Sequence, residues 1–436
     1  MTRIQSIHGR QVFDSRGRPT VEVEVRLDDG TLGRASVPSG ASTGTHEAHE
    51  RRDGVAQEYG GLGVGLAVGA VNGELAGALT GRDADDQTGI DTLLREVDGT
   101  DGLTRLGANA VLGASLAVCR TAALSQRTAL FRRIAELAGV GQPMLPMPMV
   151  NIFSGGLHAG RGMDVQDFLV IPSRATGMAQ ALKMVSDVRD AAAAVSRDRG
   201  LPTLLADEGG LSPGCRTGRE ALALLVEVIE RAGLVPGLDV DIAIDVAAHS
   251  FVDARGRYVL DREGVTLTTG QMIDMVAGWV DQFPVISIED ALDEEDWAGW
   301  AALTARLGDR VRLIGDDLFT TNAGRLARGV DERCGNGILV KANQNGTLTG
   351  TLEVVRAARQ AGFTPVVSAR SGETEDDFLA DLAVGTAAGQ IKVGSLRCSD
   401  RLAKYNQLLR IAEDDSLPMA AGPTTRGTLH PAANVR

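Results

Sequence analysis

Six short apolar runs in the second half of the chain end in residues able to do chemistry. They are "DIAID" ending at Asp245, "VISIED" with Glu289, "VRLIGDD" with Asp316, "ILVK" ending at Lys341, "TPVVS" ending at Ser368 and "QIKVGS" with Lys392. Buried strands seldom finish in carboxylates by accident, because desolvating an unpaired charge is expensive. Asp245, Glu289 and Asp316 on successive strands would converge at one mouth, and three oxygen donors with room for water and substrate oxygens suit Mg²⁺. The competing reading pairs each acid with a neighbouring Arg or Lys at the rim. Lys341 and Lys392 would face the metal, and a lysine beside a divalent cation and a second ammonium can act as a base near neutral pH. That arrangement suits proton abstraction next to a carboxylate, with the metal stabilising the resulting charge. Simple ion pairing of both lysines with the acids accounts for the pattern as well. Arg370 and Ser371 open the loop after their strand and offer a guanidinium and a hydroxyl to a phosphate. Ala369, between Ser368 and Arg370, offers no reactive group at a position surrounded by them.

The elements that must position these residues follow from the spacing. After a first interval of 44 residues, the six strand ends fall 24 to 27 residues apart, the length of one βα unit in a closed barrel. An α/β barrel with its active site at the C-terminal ends of the strands is therefore expected. An open nucleotide-binding sheet would need a Gly-rich turn after a strand, and "GGLGVG" at 60–65 follows none. Earlier in the chain, "TVEVEVRLDDGTLGRASV" reads as a strand, a turn at Asp29-Gly30 and a returning strand. A long helical pattern, "GANAVLGASLAVCRTAALSQRTALFRRIAEL", follows and stops before the prolines of "GVGQPMLPMPMV". The expected organisation is an N-terminal α+β domain at 1–138 and a barrel domain at 139–436.

Composition sets the outer limits. Hydrophobic residues make up 43% and charged residues 23% of 436, the profile of a globular protein, while 3% aromatics leave the core to Ala, Val, Leu and Ile. A net charge of −13 argues against nucleic acid or an anionic membrane as partner. A bound metal still allows an anionic substrate. Cys119, Cys215, Cys334 and Cys398 lie far apart and read as reduced thiols, and no leader or spanning segment is apparent, so a cytoplasmic protein is expected. The "HEAH" of the small-residue loop "SVPSGASTGTHEAHE" lacks the four-residue histidine spacing of a zinc helix. Gly40 and Gly44 are the flexible points of that loop.

Taken together, "DSRGRPTVEVEV", "LGANAVLGASLAV", "ADEGGLSP", "SIEDALDEEDW", "LVKANQNGTLT", "SARSGETED" and "QIKVGSLRCSDRLAKYNQLLRI" resemble the enolase family, in family order, from about residue 4 to 412. The resemblance implies an N-terminal α+β domain, a barrel with an irregular first part, and a homodimer or higher homo-oligomer. It implies that Asp245, Glu289 and Asp316 hold one Mg²⁺ and that Ser39 helps hold a second. It makes Lys341 the base that removes the C2 proton and Lys392 the lysine on the substrate carboxylate. Glu208 matches the acid that helps expel the C3 hydroxyl, with Asp167 beside it. His158, Gln166, Arg370, Ser371 and Ser39 match substrate-binding positions.

The departures from the family pattern are Ala369 for an active-site histidine, Asp167 for a glutamate, and Ser154 and Leu157 for Asn and Ser. "AAHSF" and "KANQN" deviate as well. The proton-abstracting half is intact, whereas the leaving-group half has lost an imidazole and drawn a carboxylate back by one C–C bond, roughly 1.5 Å. Three functions follow from this. The first is a specialised relative such as the carboxyphosphonoenolpyruvate synthases of phosphinate antibiotic pathways, which join a phosphorus-bearing second reactant to a phosphoglycerate-type substrate. The second is ordinary 2-phosphoglycerate dehydration to phosphoenolpyruvate, and the third is a non-catalytic binding role.

Overall fold

A computed structural model describes residues 2–40 and 44–422. Positions 41–43 of the small-residue loop and residues 423–436 lie outside the described residues. The chain opens with an antiparallel meander of β1 (Ile4–Phe13), β2 (Pro19–Leu27) and β3 (Leu32–Ser36), with β2 in the centre. Strand alternation decides its two faces. Val21, Val23 and Val25 are fully buried, while Glu22 and Glu24 between them pair with Arg10 across the sheet at 2.6 and 3.0 Å. The buried face packs on the helix Ala108–Ser125. Gly113 of that helix allows the contact, since a Cβ there would lie 2.7 Å from Val23 Cγ2. This helix has the length and hydropathy to cross a membrane, but 83% of it is buried inside the protein. The long helical pattern divides at 126–129, where Arg127 takes a positive φ of 55°, and resumes as Leu130–Ala138.

The second helix ends at Gly139 in the left-handed conformation, and the proline-rich stretch leads into the barrel. Eight strands close it: β4 (Met147–Ser154), β5 (Asp167–Ile171), β6 (Asp241–Asp245), β9 (Val285–Glu289), β10 (Arg312–Gly315), β11 (Gly337–Val340), β12 (Thr364–Ser368) and β13 (Gln390–Lys392), which returns to β4. A hairpin of β7 (Tyr258–Leu260) and β8 (Val265–Leu267) stands outside it. Every barrel pairing is parallel except the two made by β5, which runs against both neighbours. Strand-end spacing could not reveal this reversal, because the strand-end pattern begins only at Asp245.

The barrel interior is a packed apolar plug, with Met147, Met149, Leu169, Ile171, Ala243, Ile286, Ile314, Leu339 and Val366 in one cluster. The N-terminal domain is tied to the barrel above this plug. Ser39 and Gly372 exchange backbone hydrogen bonds at 2.8 and 2.9 Å, and Arg120 pairs with Asp376 at 2.7 Å.

Candidate active site

The period of two that builds the plug also builds the site. Ala243, Ile314, Leu339 and Val366 face inward, so the residues two positions on, Asp245, Asp316, Lys341 and Ser368, face the mouth one layer higher. Lys392 sits level with Ser368 on one side and Met149 on the other. A one-residue slip between β6 and β9 near Ile242 then brings Asp245 level with Glu289. Charged groups are thereby stacked on an apolar floor, and almost all are buried.

Their pairing is specific. Lys392 Nζ donates to Asp245 Oδ2 at 2.7 Å and to Glu289 at 2.8 and 2.7 Å. Lys341 Nζ is ion-paired with Asp316, whose other oxygen accepts from Gln344 Nε2 at 3.0 Å. Gln166 Nε2 donates to Asp245 Oδ2 at 3.0 Å. Burial and the neighbouring Asp245 charge push the Glu289 carboxyl well above its ordinary range. Burial is the largest influence and works to lower Lys341, but the acids around it, Asp316 first and then Glu289, hold the ammonium above its usual value. In this arrangement Lys341 is an ammonium held by Asp316. Arg370 donates to Glu47 at 2.8 and 3.2 Å and to Asn343 at 3.0 Å, while Arg401 anchors the carbonyls of Arg370 and Ser371 at 2.6 and 2.7 Å.

The opposite wall is built by β4 and β5. Asn151 Nδ2 donates to Glu208 Oε2 at 3.1 Å. Ser154, level with Asp167 across the antiparallel pair, donates to Asp167 Oδ1 at 2.5 Å. His158 Nε2 lies 3.3 Å from Asp167 Oδ2, and its Nδ1 lies 3.8 Å from Glu208 Oε1. Burial is the largest single influence and would lower His158, but Asp167 with Glu208 and Asp245 outweighs it and raises it to about 9. Burial would raise Glu208, yet His158, Arg401 and Lys392 together hold it below the usual carboxylate range. The proton available on this wall therefore sits on His158, and Glu208 is a carboxylate.

Leu157, His158, Gln166, Glu208, Asp245, Asp316, Lys341, Ala369, Arg370, Ser371 and Lys392 border one small cavity of about 30 Å³, with Ser368 beside Ala369. Three residues expected at the site stand off from it. Asp167 is wholly buried behind His158, and Glu289 lies behind Lys392. Ser39 faces a separate cavity on the N-terminal domain, accepting from Arg52 at 2.8 Å and donating to Glu50 at 3.1 Å. Sequence reasoning also missed several supports. Glu47 sits inside the "HEAH" segment and pairs with Arg370. Asn151 is inward by the same period as Met147 and Met149, a signal the strand pattern did carry. Asp290 has a φ of 42° and accepts from the backbone N–H groups of Asp316 and Asp317 at 2.9 and 2.8 Å, a contact no spacing announces.

The donor set fits a hard cation. Asp245 and Glu289 already share one positive group, the Lys392 ammonium, and all three acids offer only oxygen. Asp316 is drawn instead toward Lys341, and its closest acidic companions are Asp290 and Asp317, with ligand atoms within 4.8 Å. His158, Asp167 and Glu208 form a second such group, with the imidazolium as its internal counter-ion. Residues 4–134 match the family described as Enolase, N-terminal domain, and residues 142–422 match Enolase, C-terminal TIM barrel domain. A meander-and-helix domain capping an eight-stranded barrel with one reversed strand, acids and lysines at its mouth, and both family matches in order together place this chain in the enolase family.

Proposed function

We propose that the chain is a magnesium-dependent enzyme that removes the proton next to the carboxylate of a 2-phosphoglycerate-type substrate. On this reading it is a specialised relative such as a carboxyphosphonoenolpyruvate synthase, which brings a second reactant to that substrate. When bound by Asp245, Glu289 and Asp316, Mg²⁺ supplies positive charge that stabilises the negative charge developing beside the carboxylate. Lys341 takes the C2 proton, Lys392 holds the carboxylate, and Arg370 with Ser371 grips the phosphate. The observation that carries the specialised reading lies on the leaving-group side. Ala369 lines the cavity beside Arg370 where an imidazole is usual. Asp167 is spent on Ser154 and His158 and does not border the cavity. Losing a positioned acid-base group typically slows such a step about 10²- to 10⁴-fold.

Ordinary dehydration is supported by one specific feature, the protonated His158 next to Glu208 within the same cavity. The two readings separate in one experiment on the purified chain with Mg²⁺ and 2-phosphoglycerate. C2–H exchange in D₂O and phosphoenolpyruvate formation are followed for the wild type, Ala369→His, and Ala369→His with Asp167→Glu. The specialised reading expects wild-type exchange without appreciable dehydration, and a gain of dehydration in the double variant. Wild-type dehydration as fast as that of the double variant would overturn it.

A further inference from the structure

A second cavity of about 240 Å³ lies directly behind the active-site loop. Leu157 and Gly156 border it, and Leu157 also borders the active-site cavity, so one side chain forms the partition. Leu157 is 42% exposed and sits on a single turn, Leu157–Ala159, flanked by Gly156 and Gly160 with φ of 59° and 61°. Glycines at both ends give that turn the freedom to swing as a unit. Three positions within the departures from the family pattern border these two cavities. Ala369 opens the inner cavity, Leu157 is the partition, and Ser250 of "AAHSF" lines the outer cavity.

The outer cavity has a charged rim and an apolar floor that includes Met163 and Phe251. Arg161 and Arg262 both border it, and Arg262 Nε donates to the Arg161 carbonyl at 3.1 Å, which holds the two residues together. Among the described residues neither guanidinium is ion-paired with a carboxylate, and the Arg161 side chain makes no hydrogen bond. Of the two acids at the rim, Asp164 is already occupied by the backbone N–H groups of Arg262 and Glu263 at 3.0 and 3.1 Å. Asp164 keeps its negative charge while accepting these bonds, and Asp261 is the second acid at the rim. The Arg161 guanidinium, and the Arg262 guanidinium with only its Nε engaged, beside a cavity below the roughly 300 Å³ of a drug-sized site suit a small oxyanion.

We infer that this cavity binds the second reactant, a small molecule bearing a phosphonate or carboxylate. Arg161 and Arg262 hold its charged end, and its other end passes Leu157 toward the space at Ala369. The inference rests on the reading that the enzyme uses a second reactant, and its test is separable from that reading.

Phosphonoacetate, which carries both oxyanions, is titrated calorimetrically into the full chain already saturated with Mg²⁺ and 2-phosphoglycerate. Binding is expected to persist in the wild type and to weaken about tenfold or more in Arg161→Gln/Arg262→Gln, in line with loss of charge-assisted hydrogen bonds. 2-Phosphoglycerate affinity should stay unchanged in that variant. Both arginines are exposed, and the single variant Arg161→Gln, which keeps the Arg262 contact to the carbonyl, controls for any local rearrangement. Displacement of phosphonoacetate by 2-phosphoglycerate, no binding at all, or equal binding by the double variant would each overturn the site. In those cases C2–H exchange without dehydration would still stand for the functional reading, whereas rapid wild-type dehydration would remove that reading itself.

Discussion

At the scale of single residues, the site is a set of buried charges that neutralise one another, and each pair has a measurable consequence. Among the described residues, Lys341 has Asp316 as its one ion-pair partner. Replacing it with Ala should slow C2–H exchange about 10²- to 10⁴-fold, as loss of a positioned base does, and NMR of the 2-phosphoglycerate C2 proton reads this directly. An unchanged exchange rate would assign the base elsewhere. Ser154 and Asp167 both depart from the family pattern, and they touch. The serine hydroxyl supplies the bond that the retracted carboxylate needs, so the two changes form one adjustment. Ser154→Ala leaves Asp167 Oδ1 buried without that donor and should cost about 1–3 kcal/mol in denaturant titration.

At the scale of elements, the inward period of the barrel strands was legible from sequence wherever an apolar run ended in a charged residue. That pattern located Asp245, Glu289, Asp316, Lys341 and Lys392. It did not reach Ser154 and Asp167, which sit in β4 and β5, the second of them reversed. Nor did it reach contacts made across domains, such as Glu47 with Arg370, since pairings between distant segments leave no local periodicity. The family resemblance supplied Glu208 and His158, which propensity alone would have left in loops. One helix carries a pH signature away from the site. Asp381, in Phe378–Gly385, accepts from the Phe131 N–H and from Gln407, each at 3.0 Å, and is 2% exposed. Burial, with Asp377 adding to it, pushes its carboxyl from 3.8 up to about 7. Between roughly pH 4 and 7 the folded protein keeps a proton that the unfolded chain has lost, so stability falls as pH rises through that window. Asp381→Asn should remove this slope. Its Tm relative to wild type should therefore improve from pH 5 to pH 8, and parallel Tm curves would refute the assignment.

At the scale of the whole molecule, the N-terminal domain and the barrel are joined at the mouth itself, through Ser39 with Gly372, Arg370 with Glu47 and Arg120 with Asp376. Ligands that gather the mouth should therefore stabilise both domains together. If Asp245, Glu289 and Asp316 hold Mg²⁺, saturation at a hundred times Kd should add about 2.7 kcal/mol. Calorimetry should then record one sharper transition at higher temperature, and Glu289→Gln should abolish the gain. A Mg²⁺ response undiminished in that variant would place the ion elsewhere.

The reversed strand β5 has a wider consequence. Because β5 runs against β4, the segment 155–166 is a hairpin whose two ends both open at the mouth. Around the rest of the barrel, from β6 to β13, the strands deliver a C-terminal end and then a helix or excursion that returns along the outside. Lengthening such a connection means re-threading an element. Lengthening a hairpin does not, since the cost of closing a longer loop grows only slowly. The stretch with Gly156, Leu157, His158, Gly160 and Arg161 is therefore the connection at the mouth that can change in length at least cost to the barrel.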